Sequence, residues 1–166
     1  MLATCAIACA STGAVPRPFP VPGGPTQPNQ APPATIAADR PALGFDLDAL
    51  VETALSLRGA PYRGGGGDPA GFDCSGFTQY VYAQYGVSLP REARQQYRVG
   101  KKVKPGDLAP GDLIFFSTVE PGASHVAIAI GGDEFVHAPS SSGAVRVEHI
   151  SVNYWSERFL GARRVN

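Results

Sequence analysis

Hydrophobic and polar positions divide this chain into segments of different period. Between residues 46 and 57, Leu47, Leu50, Val51, Ala54 and Leu55 recur at helical spacing, which predicts an amphipathic helix. Asp46 stands at the N-cap position and Gly59 lies just past the end. A second helix is predicted over 73–86, capped by Asp73, with Phe77, Tyr80, Val81 and Tyr85 facing inward and Gly86 as its stop. The glycine run 64–67 between them reads as a flexible loop, and a short polar helix is expected around 91–97. After Pro110-Gly111 the pattern changes to short β-rich runs at 112–117, 125–130, 134–138, 144–150 and 158–165, separated by Gly, Ser or Pro. Helices followed by strands predict an α+β domain, its N-terminal helices packed on an antiparallel sheet of about five or six strands.

Residues 1–44 carry neither period. Nine of the 16 prolines lie in the first 41 residues, and the segment has only Arg17, Asp39 and Arg40 as charges and Phe19 as an aromatic. Proline lacks the N–H donor and fixes φ, so the run 16–25 suits neither a helix nor a central strand. With so little apolar surface, an extended Pro-rich linker is expected. The first ten residues are small and apolar, like the end of a secretory signal whose basic n-region is missing. Two readings stand side by side here: a clipped signal remnant, or a lipoprotein processing site with Cys9, rather than Cys5, as the lipid-bearing residue. Either implies an exported protein of the periplasm or cell envelope. No stretch approaches the roughly 18 apolar residues of a membrane-spanning helix. The boundary therefore falls at 44, with the folded domain over 45–166. The 166-residue length excludes a TIM barrel, and 14 basic against 14 acidic residues leave no electrostatic footprint for nucleic acid.

Cys74 is the only cysteine outside the tail and falls in the first turn of the second predicted helix. The helix dipole there favours negative charge, so a lowered thiol pKa and a nucleophilic role are expected. A thiol nucleophile needs a base, and the base an orienting partner. His125 and His137 lie on consecutive predicted strands around Gly131-Gly132. If 131–133 form a three-residue tip, Ile130 pairs with Glu134 and His137 faces Ala127, diagonal to His125; an even tip would separate the imidazoles. Ala127 and Ala129 on the His125 face leave room for another element to pack close. His149 has no such partner and reads as structural. A zinc site from Cys74, His125 and His137 lacks any Cys-x-x-Cys pair or short His spacing. The glycine run is not followed by Lys-Ser/Thr, as a phosphate loop would be. No metal or organic cofactor is expected.

Several segments together resemble a known family. Pro61-Tyr62-Arg63, Gly71-Phe72-Asp73-Cys74-Ser75-Gly76-Phe77, Val87-Ser88-Leu89-Pro90-Arg91, Pro110 to Phe116, His125-Val126-Ala127-Ile128 and Phe135-Val136-His137-Ala138-Pro139 are similar, in order and spacing, to the NlpC/P60 family. The resemblance implies a papain-like α+β fold and a cysteine endopeptidase of bacterial cell-wall stem peptides; a monomer is expected. It implies Cys74 as nucleophile, His125 as base and His137 as orienter, with Tyr62 against the nucleophile and Asp73 and Ser75 binding the stem peptide's amine. The bond it favours is γ-D-glutamyl to diaminopimelate, with the D-alanyl cross-link as runner-up and a non-hydrolytic wall-binding module as a third reading. Gly64 departs from the family's usual Trp, which bears on substrate selectivity.

Overall fold

The computed structural model describes residues 46–165, so the expectations for the linker over 1–44 and for Cys5 and Cys9 lie outside the described residues. Asp46 opens helix α1 (Leu47–Ser56), its carboxylate accepting the Ala49 N–H at 3.0 Å, a cap that contributes about 1 kcal/mol. Leu50 and Ala54 form its buried stripe. Helix α2 (Cys74–Ala83) starts in the same way, with Asp73 accepting the Gly76 N–H at 2.7 Å. Phe77 and Val81 are buried as expected, but Tyr80 and Tyr85 are only partly so. Tyr82 instead fills the core and donates its hydroxyl proton to the Gly111 carbonyl. An aromatic ring with a polar tip can span the core only where that tip finds an acceptor. The helix ends at Ala83, before Gly86, which closes the following turn at φ 76°.

The glycine run, read from composition as a flexible loop, forms a turn at residues 64–65 that is tied to its surroundings by backbone hydrogen bonds. It leads into a hairpin of β1 (Gly67–Asp68) and β2 (Gly71–Phe72). Gly66 N–H donates to the Arg63 carbonyl at 2.8 Å, and Asp73 N–H donates to the Gly66 carbonyl at 3.1 Å. A Cβ on Gly76 would lie 1.9 Å from the Gly66 oxygen. Backbone therefore packs on backbone, and both glycines are needed for that closeness rather than for mobility. The loop clamps the start of α2.

A short helix α3 (Ala93–Gln96) follows, and then the sheet begins. Its strands are β3 (Lys101–Val103), β4 (Leu113–Phe116), β5 (His125–Gly131), β6 (Glu134–His137), β7 (Arg146–His149) and β8 (Phe159–Arg164). They run antiparallel in the order β3-β8-β4-β5-β6-β7. Strand β3, which the apolar pattern did not announce, carries Lys101 and Lys102 exposed on the sheet edge, a charged edge that discourages pairing with another chain. The run expected from 144 starts as a strand only at Arg146, because Ala144 forms a separate bridge to Pro61. A single turn, α4 (Asn153–Ser156), precedes β8 and was also unannounced.

Alternate residues of the central strands serve opposite faces. Leu113, Phe115, Val126, Ile128 and Val136 pack with Leu50, Phe77 and Val81 of the helices. Ile114, Phe116, Ala127, Ala129 and Phe135 pack with Trp155 of α4 on the other side. The β5–β6 connection differs from the expected three-residue tip. Gly131, not Ile130, pairs with Glu134, so Gly132 and Asp133 form a two-residue tip. Carried inward unchanged, that tip would send the two histidines to opposite faces. A bulge prevents this: Ala129 pairs with Phe135 and Ile128 with Val136, leaving Ile130 as the extra residue. His137 is then in register with Ala127. No helix among the described residues is long and apolar enough to cross a membrane.

Candidate active site

Cys74 is the first residue of α2, held there by the Asp73 cap and the glycine clamp. Its sulfur faces the N–H groups of Val126, Ser75 and Cys74 itself. The expectation of a lowered thiol pKa is reversed. Burial pushes the Cys74 thiol up, Asp73 adds to that, and the three N–H groups only partly oppose it. The resting group is a neutral thiol.

Val126 carries that N–H contact, and the next residue back along β5 is His125. His125 Nε2 lies 2.7 Å from His137 Nδ1, the rings at 87° to each other. His125 is 7% exposed and His137 is fully buried. The space left by Ala127 and Ala129 is filled by aromatic rings, chiefly Phe116, Phe135 and Trp155. Trp155 stacks on His125 with centroids 5.5 Å apart and planes at 29°. Burial pushes His125 down to about 4, and burial followed by the charges of His125 and Arg146 pushes His137 down as well. Both imidazoles are therefore neutral near pH 7. His149 stands apart and exposed, its Nδ1 3.0 Å from Asp133 Oδ1, a contact that raises its pKa.

A cleft of about 510 Å³ opens over Cys74, lined among others by Tyr62, Asp73, Ser75, Arg91 and Ser124. Burial and the neighbouring Cys74 and Asp73 raise the Tyr62 pKa, so its hydroxyl keeps its proton. Asp73 is not a free carboxylate. Arg91 meets both of its oxygens, Ser75 Oγ donates to it at 3.2 Å, and Gly65 N–H donates at 3.0 Å. Burial alone would raise the Asp73 pKa, but the Arg91, Gly76 and Ser75 hydrogen bonds outweigh it and the pKa is lowered. An incoming amine thus meets an ion pair rather than a lone carboxylate. Arg91 was visible in the sequence only as part of a motif, because nothing local places a residue 18 positions on beside the α2 cap.

The span that holds all these residues, 59–164, matches the NlpC/P60 family. The chain belongs to that family. Its helices on a six-stranded antiparallel sheet are the NlpC/P60 fold, which a crystal structure of an NlpC/P60 family protein from Bacillus cereus shares with TM-score 0.67 and 36% identity, over 72% of this chain and 40% of that one. Among curated relatives, this NlpC/P60 chain is 42% identical over 117 residues to the murein DD-endopeptidase MepS/murein LD-carboxypeptidase of Escherichia coli, covering 70% of this chain and 61% of the relative. It is 38% identical over 122 residues to the gamma-DL-glutamyl hydrolase of Bacillus subtilis, covering 71% of this chain and 30% of the relative. The chain thus spans less than two thirds of either relative's length. Gly64, where the sequence departs from the family pattern, is exposed, and a Cβ built there meets nothing within 4 Å.

Proposed function

We propose that this chain is an envelope cysteine endopeptidase that hydrolyses peptidoglycan stem peptides, with Cys74 as nucleophile, His125 as base and His137 as orienter. The observation that carries the reading is the buried 2.7 Å contact between the two imidazoles, with His125 next in β5 to Val126, whose N–H meets the sulfur of a helix-start cysteine that lines a cleft. His125 Nε2 is engaged by His137, which leaves Nδ1 as the nitrogen that takes the thiol proton. Thiol and imidazole are both neutral at rest, so His125 serves as a general base that takes the Cys74 proton, and the thiolate attacks the scissile carbonyl. The Cys74 N–H at the helix start and the protonated Tyr62 hydroxyl stabilise the oxyanion. The imidazolium then protonates the leaving amine, and water, activated by the same imidazole, releases the acyl-enzyme. Asp73, Ser75 and Arg91 form the polar wall that holds the substrate's charged end.

The favoured bond is γ-D-glutamyl to diaminopimelate, in line with the glutamyl hydrolase among the relatives. The D-alanyl cross-link is the alternative, in line with the DD-endopeptidase. Export belongs to the same reading, with 10–44 as tether and, before it, either a clipped signal remnant or a lipid-bearing Cys9. The test is mass spectrometry of products from a defined muropeptide. Cys74→Ala is expected to abolish product, with a rate loss of at least about 10³-fold, while the melting temperature stays within a few degrees. His125→Ala is expected to follow closely, and His137→Gln to lose less than His137→Ala because an amide keeps one hydrogen bond to the base. Hydrolysis by folded Cys74→Ala at the native rate would refute the assignment.

A further inference from the structure

One buried polar atom in this cluster has no hydrogen-bond partner: His137 Nε2, on a side chain that is fully buried. The nearest charge to it is Glu148 Oε1 at 3.7 Å. Glu148 is on β7, paired with Phe135 of β6, and therefore lies diagonally across from His137 on the same face. Its carboxylate is aimed rather than loose. Trp155 Nε1–H donates to Oε2, and Arg146 Nε lies 3.0 Å from Oε1. Trp155 is also the ring stacked on His125. The carboxylate, the indole and both imidazoles thus form one continuous group.

The imidazole contact has two proton arrangements, and only one is productive. In the first, His137 carries its proton on Nε2 and accepts at Nδ1 from His125 Nε2–H, which leaves the His125 Nδ1 lone pair for the thiol. In the second, His137 Nδ1–H donates to His125 Nε2, so the His125 proton sits on Nδ1 and the base is blocked. The second arrangement also turns a buried lone pair of His137 Nε2 toward a carboxylate, which is electrostatically unfavourable in a low-dielectric interior. We propose that Glu148 is a positioning residue that selects the first arrangement, so that it sets the tautomer of the base through His137 without touching substrate. Its role rests on the triad reading above, but the tautomer itself is observable without any turnover.

The experiment is imidazole ¹⁵N–¹H NMR on the full chain labelled at histidine, for the native protein, Glu148→Gln and Glu148→Ala. Initial rates of Cys74 alkylation by iodoacetamide are read on the same samples at pH 7. The native protein is expected to show Nε2–H at both His125 and His137. Glu148→Ala is expected to populate Nδ1–H at both rings and to slow alkylation and muropeptide hydrolysis by about 10- to 100-fold, since a wrong imidazole tautomer disables a base while geometry survives. Glu148→Gln keeps an acceptor for Trp155 and a similar shape while turning its amide N–H toward His137 Nε2, so it serves where Ala fails to fold and is expected to shift the tautomers in the same direction at least as far. A merely structural Glu148 would lower the melting temperature and leave the tautomers as in the native protein, and that result would overturn the proposal. Native tautomers of the second kind would also overturn it. If instead the tautomers shift as expected but Cys74→Ala still hydrolyses muropeptides, the triad reading fails and the Glu148 assignment stands.

Discussion

The two faces of the six-stranded sheet are built from alternate residues of the same strands, yet they are made of different chemistry. On the helix-covered face, Leu113, Phe115, Val126, Ile128 and Val136 meet α1 and α2 in aliphatic and aromatic packing, edged by Arg163 of β8, which lies over Tyr97. On the opposite face, His125 and His137 sit among Phe116, Phe135 and Trp155, with Glu148 at their back. One face excludes water and seats α2, whose first residue is Cys74. The other must hold polar groups dry, neutral and mutually hydrogen-bonded, which aromatic rings do well because they are bulky, stiff and able to stack on an imidazole. A period of two lets a four-residue strand such as β6 serve both needs at once. The imidazole cluster can therefore be disturbed separately from the helix-side core, on which Cys74 is carried.

The largest test of that separation is Phe115→Ala on the aliphatic face. Phe115 is fully buried and packs edge-on against Tyr97, with centroids 5.0 Å apart. Its removal is expected to lower unfolding free energy by about 4 kcal/mol. The kcat/KM of the protein that remains folded should change by less than about threefold, because the imidazole cluster keeps its own packing and Cys74 is held by the Asp73 cap and the glycine clamp. Urea unfolding and active-cysteine titration measure the two quantities. A collapse of turnover per folded molecule would mean that the faces are coupled.

A smaller effect is expected from pH, and it belongs to the site face alone. His125 and His137 have folded pKa values below the usual histidine value near 6.5. Between the two values the unfolded chain binds more protons than the folded one, so the stabilisation is full above about pH 6.5 and is lost as pH falls toward 4. For His125 alone, with a folded pKa of about 4, the loss between pH 7 and pH 5 is about 2 kcal/mol. His149, with a raised pKa, works in the opposite direction, but it is exposed and screened. Stability measured by denaturant at pH 7, 6 and 5 should therefore fall, and less steeply in His137→Gln. Parallel slopes in the two proteins would show that the buried pair is not the source.

The smallest effect is expected at Gly64, which belongs to neither face. With open space around its Cβ position, Gly64→Trp should change stability by no more than about 0.5 kcal/mol. Any shift in preference between muropeptides would then report the cleft rim directly, through product ratios.

Much of this was legible in the residues, and the exceptions have physical causes. Asp46 and Asp73 announced both helix starts because capping is a local interaction. The five strands after Pro110 were visible because short β-rich runs bounded by Gly, Ser or Pro are also local signals. The strand β3 was not, since a three-residue charged edge buries almost nothing and draws its pairing from β8 at the far end of the chain. Cys74, His125 and His137 could be singled out by type and spacing. The direction of the Cys74 shift could not, because it is set by burial, which exists only once the chain has folded around the thiol. Glu148 and Arg91 were missed for the same reason: each reaches its partner only across strands or loops that the fold brings together.

The bulge at Ile130 also makes chain length a matter of parity. A separation of 12 residues between the histidines allows them to meet either through a three-residue tip or through a two-residue tip with one residue set aside, and this hairpin uses the second. Removing Ile130 would turn the bulged hairpin into a plain one with Ala129 still opposite Phe135, and the imidazoles would not change sides. The strand interiors, where Ile128 meets Val136, dictate which side chains face each other. The hairpin end is in this sense a slack adjuster, a place where the chain can gain or lose a residue without altering the geometry of the imidazole pair.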